Sequence, residues 1–215
     1  IRDRTYSASR SRGGEDLLAA FADGAKLPLS KLIHLMIAFS DNTASVWCQE
    51  LAGGGEGVNA WLAERGYEST RVNSRTPGRE QAYREWGWGQ TTPREMAELL
   101  MAIRAGRAVS PRADEEMHRV LCRAYWDAEA LSQLPPWVQA ASKQGALDRS
   151  RSEVVLVHAP AGDYVFCVIT KDQADTNWGA DNAGFVLLRD VSRLLWQRWG
   201  GGDPWEPAPG VEAWR

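Results

Sequence analysis

The sequence predicts a mixed α/β chain of the α+β kind, a helical lobe followed by an antiparallel sheet with a covering helix. Three observations predict it. Apolar residues recur at helical spacing through 15–23, 29–39 and 43–52. After Pro135-Pro136 the period changes, and Val154–Val157 and Tyr164–Ile169 are nearly continuous apolar runs of strand length. Helical spacing then returns over 181–199, with Phe185, Leu188, Leu195 and Trp196 able to cover one sheet face. A chain of 215 residues can bury a core in one large domain or two small lobes. Its 44% apolar and 25% charged residues are ordinary for a globular protein. A net charge of −3 offers no general attraction to nucleic acid, and no apolar run is long enough to span a bilayer, so neither partner is expected.

Taken in order, residues 1–12 are polar and basic and read as a strand remnant followed by a loop. Residues 13–134 form the helical lobe. Pro28 suits the start of the segment 29–39, and Asp41 or Asn42 caps the next helix, which Gly53-Gly54-Gly55 should stop near residue 52. A short helix over 58–65 ends at Gly66. From 67 to 90 there is little periodicity and much Gly, Arg and Pro, the composition of a long surface loop that carries function or packs tightly. Thr92-Pro93-Arg94-Glu95 then reads as a capping box for a helix reaching about Ile103, and Ser110-Pro111 starts another over 111–124. In the sheet region, 135–200, three strands are expected at 141–147, 152–159 and 163–170, with a Pro160-Ala161-Gly162 turn between the last two. Residues 201–215, rich in Gly and Pro, form a tail.

Cys48, Cys122 and Cys167 are too few and too dispersed for a disulfide framework and read as core thiols. His34, His118 and His158 have no metal-ligand spacing, so no metal and no cofactor is expected. The eleven tryptophans are scattered as packing anchors.

Two short polar motifs carry the chemistry. Ser40-Asp41-Asn42 interrupts the apolar stretch LIHLMIAFSDNTASVWCQEL. Alone, it is a helix end followed by a cap, with Asp41 in a structural role. In an acylation site the hydroxyl relays a proton, the amide holds a substrate carbonyl and the aspartate fixes the turn. Lys143-Gln144-Gly145 opens the first strand of the sheet. A lysine there is commonly a solvated edge residue. Beside a glycine that lets a ligand approach the backbone, its ammonium can also attract a carboxylate.

Together these motifs resemble the serine β-lactamase and penicillin-binding protein superfamily, nearest to its class A branch. IHLMIAFSDNTAS is similar to the helix–SDN–helix segment of that family. TRVNSRTPGREQAYREWGWGQTTPREM resembles its omega loop and the helix after it, and SKQGALDRSRSEVVLV resembles its KTG strand and the next strand. The resemblance spans residues 1 to about 200. It implies a soluble β-lactamase/transpeptidase-like hydrolase acting through an acyl-serine on a small-molecule amide or ester, a β-lactam or related compound. It implies Ser40 as the relay hydroxyl and Asn42 as the amide holding the substrate side chain. Lys143 would be the cation of that site, and the N–H of Ala146 half of an oxyanion hole. Gln144 stands where the family has Thr or Ser, Gly145 lets the substrate approach, and Arg151 would reinforce carboxylate binding.

Two departures qualify the resemblance. No serine in the chain is followed three residues later by lysine. The family's Ser-x-x-Lys nucleophile helix precedes the matching segment, so the N-terminal quarter of the fold is expected to be missing. A complementing N-terminal segment or second chain, seated beside residues 163–170, would then be a partner, and this chain alone would be inactive. In the omega-like loop, Thr76 falls immediately before Pro77, where the family carries the glutamate that activates the deacylating water. A threonine is a poor general base. Glu80, four residues on, is the candidate replacement, and Glu85 a weaker one. Slow deacylation, as in a penicillin-binding or D,D-peptidase-like protein, is one alternative. A catalytically inert binding or structural protein of the same fold is the other.

Overall fold

The computed structural model describes residues 3–7 and 16–213, and the chain divides into two compact units, Ile1–Glu95 and Met96–Arg215. In the first unit, β1 (Asp3–Thr5) pairs antiparallel with β2 (Lys26–Pro28), Arg4 lying opposite Leu27. The chain leaves β1 through Tyr6, which is 1% exposed and meets Trp47 with ring centroids 6.4 Å apart. Tyr6 packs in one core with Leu18, Leu27, Leu32, Ala44 and Trp47. This corrects the reading of the opening residues as a remnant. A paired strand followed by a fully buried tyrosine is an integral part of the unit's core. The loop expected after that strand falls on residues 8–15, outside the described residues.

Residues 15–23 were expected to be helical, but the described part forms only a 3-10 turn, Leu17–Ala20, before β2. Three helices follow: α1 (Leu29–Ala38), α2 (Asn42–Leu51) and α3 (Gly54–Glu64). The glycine run ends α2 as expected. It then starts α3 rather than a loop, because Gly53 adopts φ 93° and turns the chain directly into the next helix.

The long segment 67–90 is more ordered than its composition suggests. β3 (Arg71–Val72) pairs with β4 (Gly89–Gln90) and closes the loop at its neck, and α4 (Glu80–Trp86) lies between them. Arg79 ties the interior, its Nε donating to Asn73 Oδ1 at 2.8 Å and its Nη2 to Gln90 Oε1 at 2.7 Å. Then comes α5 (Pro93–Arg104). The Thr92 hydroxyl accepts from Glu95 N–H at 3.2 Å, one half of the expected capping box. The other half differs: the Glu95 carboxylate accepts from the N–H groups of Glu68, Ser69 and Thr70 at 2.7–2.9 Å. That carboxylate closes the start of the loop instead of its own helix.

In the second unit, α6 (Pro111–Leu121) starts at the Ser110 cap. After a 3-10 turn at Ala130–Gln133 come β5 (Ala140–Leu147), β6 (Ser150–Ala159) and β7 (Gly162–Ile169), an antiparallel sheet in sequence order. The central strand β6 is buried on both faces: Val155 and Val157 pack with Trp196, and Val154 and Leu156 are buried on the other side. α7 (Ala183–Trp199) covers one face, capped by Asn182 Oδ1, which accepts from Gly184 and Phe185 N–H. Arg189 of α7 meets the buried Glu129 at 2.6 Å, and Ser192 Oγ donates to Ala130 O at 2.7 Å, fixing the helix to the 3-10 turn. No helix among the described residues is long and apolar enough to cross a membrane.

Candidate functional site

Ser40-Asp41-Asn42 forms the turn between α1 and α2, and its three residues are treated differently by the fold. Ser40 has φ 59°, a left-handed conformation rare outside glycine, asparagine and aspartate. Asp41 is 1% exposed. Its Oδ1 accepts from Ala44 N–H at 2.7 Å and its Oδ2 from Leu18 N–H at 3.0 Å, so it caps α2 and grips the preceding 3-10 turn at once. The Asn42 side chain is exposed. A second acid completes the clamp. Asp16 Oδ1 accepts from Asn42 N–H at 2.9 Å, while Oδ2 accepts from Thr43 N–H at 2.9 Å and Thr43 Oγ1 at 2.6 Å. Two buried carboxylates on the first N–H groups of one helix favour its positive end and leave Ser40 and Asn42 on a fixed turn. Asp16 was not anticipated, because it lies in a segment read as helix and precedes its partners by 26 residues.

The omega-like loop and Val46 of α2 line an open cavity of about 680 Å³ within the first unit. Its lining includes Val46, Asn73, Thr76, Pro77, Glu80 and Tyr83. Thr76 and its proposed substitute Glu80 therefore face the same space, whereas Glu85 is exposed and not among the lining residues. Thr76 is buried, with its Oγ1 donating to Ser74 O at 3.0 Å. It packs so closely on α3 that a Cβ on Gly55 would stand 1.7 Å from Thr76 Oγ1. Glu80 is exposed at the start of α4, its Oε1 accepting from Gly78 N–H at 3.1 Å. Gln49 of α2 holds the loop from the other side, its Nε2 donating to Ser74 O at 2.7 Å.

The second motif lies on β5 of the second unit. Lys143 is partly buried, and its Nζ donates to Gln144 O at 2.7 Å. Burial pulls its pKa down to about 8, against the opposing pull of Glu153. Gly145 is opposite Ser152, close enough that a Cβ would stand 2.9 Å from Ser152 Oγ. Ala146 is opposite Arg151.

The expected carboxylate-binding role of Arg151 is corrected by its surroundings. The residue is fully buried. Its guanidinium donates to the backbone carbonyls of Leu147, Ser150 and Asn177 and is sandwiched between the rings of Trp178 (4.3 Å) and Phe185 (4.6 Å). An arginine whose forks are occupied by main-chain carbonyls is a packing element of β6 and α7. Glu153, also unanticipated, is 1% exposed, with Oε1 accepting from Ser142 Oγ at 2.5 Å and Oε2 from Ala130 N–H at 3.0 Å. Its one signal in the sequence is a lone acid at the head of an apolar strand. Among the described residues no group of three or more His, Cys, Asp or Glu side chains can hold a metal ion.

The sequence model of the beta-lactamase enzyme family matches residues 2–199. The chain belongs to this family. Among solved structures, a beta-lactamase from Sphaerobacter thermophilus is 26% identical with a TM-score of 0.79, over 92% of this chain and 73% of that one. PBP-A is 23% identical with a TM-score of 0.77, over 92% of this chain and 71% of that one. A class A beta-lactamase from Mycobacterium abscessus is 14% identical with a TM-score of 0.79, over 93% and 75%. No curated protein sequence gave a significant match. The expectation of a missing N-terminal quarter is corrected to this extent: the opening residues belong to the matched fold, and the matches cover 71–75% of each solved structure's own length. The family match begins at residue 2, and the α+β fold is recovered over more than nine tenths of this chain.

Proposed function

We propose that this member of the beta-lactamase family takes part in acyl-serine chemistry on a small amide or ester, a β-lactam or a related compound. The observation that carries the reading is the Ser40-Asp41-Asn42 turn. Two buried acids hold it, Ser40 is kept in a strained left-handed backbone and Asn42 is left exposed. Strain maintained by surrounding hydrogen bonds is characteristic of positions that serve function rather than stability. In this reading Ser40 relays the proton to the leaving group and Asn42 holds the acylamino side chain. Lys143 supplies positive charge, Gln144 contacts the substrate carboxylate, Gly145 admits the substrate and Ala146 N–H polarises its carbonyl. A point mutant of PBP-A, a relative in fold, has been solved as an acyl-enzyme complex with penicillin G, which supports a penicillin as first probe. The nucleophile is the part of the mechanism that no Ser-x-x-Lys motif in this sequence supplies.

A slow second step is favoured by Thr76, whose hydroxyl is engaged with Ser74 O and brings no carboxylate to the cavity. Glu80 is the remaining carboxylate at that cavity and is assigned the base role if turnover occurs. Intact-mass spectrometry of the protein carrying this chain, mixed with a penicillin and with a chromogenic ester, tests the proposal. A persistent mass increase matching the acyl group is expected, with peptide mapping to locate the serine. Neither adduct nor turnover with either compound would leave the inert binding fold as the better reading. Where turnover is seen, Glu80→Gln should slow release at least tenfold. Unchanged release removes Glu80 from the mechanism.

A further inference from the structure

Lys143 is read above as the cation of the acylation chemistry, and the sheet places an unexpected acid behind it. In the β5–β6 ladder Gln144 is opposite Glu153 and Lys143 is opposite Val154. Side chains alternate along a strand, so Glu153 shares a face with Ser142 and Gln144 while Lys143 points to the other. The Glu153 side is the one covered by the 3-10 turn: its carboxyl binds Ala130 N–H, and its strand neighbours Val155 and Val157 pack with Ala130, Leu134 and Trp196. Glu153 is thus one strand thickness from Lys143, shielded from solvent, and hydrogen-bonded to Ser142, the residue immediately before Lys143.

We propose that Glu153 is the positioning residue of Lys143: it pins the strand that carries the ammonium and supplies the counter-charge that keeps it charged. The inference rests on reading Lys143 as the site's cation, but concerns how that cation is maintained. A fully buried carboxyl in an apolar layer is costly unless hydrogen bonds and a nearby opposite charge compensate it. Glu153 has both. Burial pushes its pKa up to about 7, opposed by the Ser142 hydroxyl, the Ala130 amide and the Lys143 charge, with Asp127 adding to the rise. Lys143 is drawn down to about 8 by burial, with Glu153 resisting. The two groups therefore titrate as a coupled pair over neighbouring pH ranges. The other ionisable groups around Glu153 are few. Glu129 is neutralised by Arg189 at 2.6 Å, and Cys167 on β7 is a thiol pushed up to about 11 by burial and by Glu153 itself. Glu153 is 1% exposed and engaged by Ser142 and Ala130, so its effect must pass through the strand.

The chain has four lysines, 26, 31, 143 and 171, so selective 13C labelling gives a readable titration, with Lys143→Arg assigning the Lys143 Cε resonance. In the wild-type chain the Lys143 midpoint is expected near pH 8. In Glu153→Gln, which keeps size and hydrogen bonding but removes the charge, it should fall by roughly half a pH unit. Glu153→Asp should restore most of that shift, which a purely structural role would not do. The reciprocal variant Lys143→Met should raise the Glu153 carboxyl midpoint above about 7, and it remains informative if Glu153→Gln fails to fold. A wild-type Lys143 midpoint above 10, or midpoints unmoved in both partner variants, overturns the inference. None of these readouts uses a substrate. Failure to form an acyl adduct would count against the proposed function and leave these titrations intact.

Discussion

Within the Ser40-Asp41-Asn42 turn, stability and presentation are divided between neighbouring residues, and substitutions should separate them. Asp41 satisfies two buried N–H groups, Ala44 and Leu18. Asp41→Ala removes a helix cap and orphans a second donor, which should cost about 2–4 kcal/mol in urea unfolding. A loss under ~0.5 kcal/mol would show that the clamp is carried by Asp16 alone. Ser40 behaves in the opposite sense. Its left-handed backbone is one that glycine adopts without strain. Ser40→Gly should keep or raise the melting temperature and, on the proposed function, abolish acylation by removing the proposed relay hydroxyl. A variant that loses several degrees and keeps full acylation would reverse both assignments. The turn's residue types were legible in the sequence because cap chemistry is local. Asp16 and Glu153 were not, since each acts on at least one partner more than twenty residues away and only the fold brings them together.

Among the elements, the sheet and the long helices announce themselves by period, and the exceptions have physical causes. β5, β6 and β7 form where apolar runs of strand length lie between turn residues, and α7 forms over a continuous 3.6-residue stripe. Inside the omega-like loop, α4 is only seven residues long and has no fully buried side chain, so no apolar period marks it. It is held by Arg79 and by the short β3–β4 ribbon, contacts that composition cannot reveal. One junction between elements predicts a pH effect. His118 on α6 and His158 on β6 meet Nε2 to Nε2 at 3.0 Å, and Asp163 on β7 accepts from His158 Nδ1 at 2.9 Å. Arg104 on α5 binds the same Asp163 at 2.8 Å. One proton suits the nitrogen–nitrogen contact; a second sets two N–H groups against each other. Burial holds the His118 pKa below its ordinary 6.5, helped by the charges of His158 and Arg104 and opposed by Asp163. The unfolded chain therefore takes up a proton there first. Its contribution is complete above about pH 6.5 and is lost as pH falls below that. Urea unfolding at pH 7.5 and 5 should show this loss in the wild type and a smaller one in His118→Gln. Equal losses in both would remove His118 as the source.

At the scale of the molecule, each compact unit carries its own core. Leu18, Leu27, Leu32 and Trp47 close the first, and Val155, Val157, Leu134 and Trp196 close the second. Interior packing is tight enough that a deleted side chain is felt by its own cluster first. Leu32 is fully buried at the centre of the first core, so Leu32→Ala should cost about 2–5 kcal/mol through lost burial and the cavity left behind. If the units are separate cooperative blocks, that loss is regional. Native-state hydrogen exchange should then show faster exchange across α1 and α2, with β5, β6 and α7 keeping their wild-type protection. Val155→Ala should produce the mirror pattern, exposing the sheet and sparing α1 and α2. The residues proposed for acylation are split by the same boundary, Ser40 and Asn42 in the first unit and Lys143 in the second. Uniform loss of protection across both units in either variant would mean that the chain opens as one block.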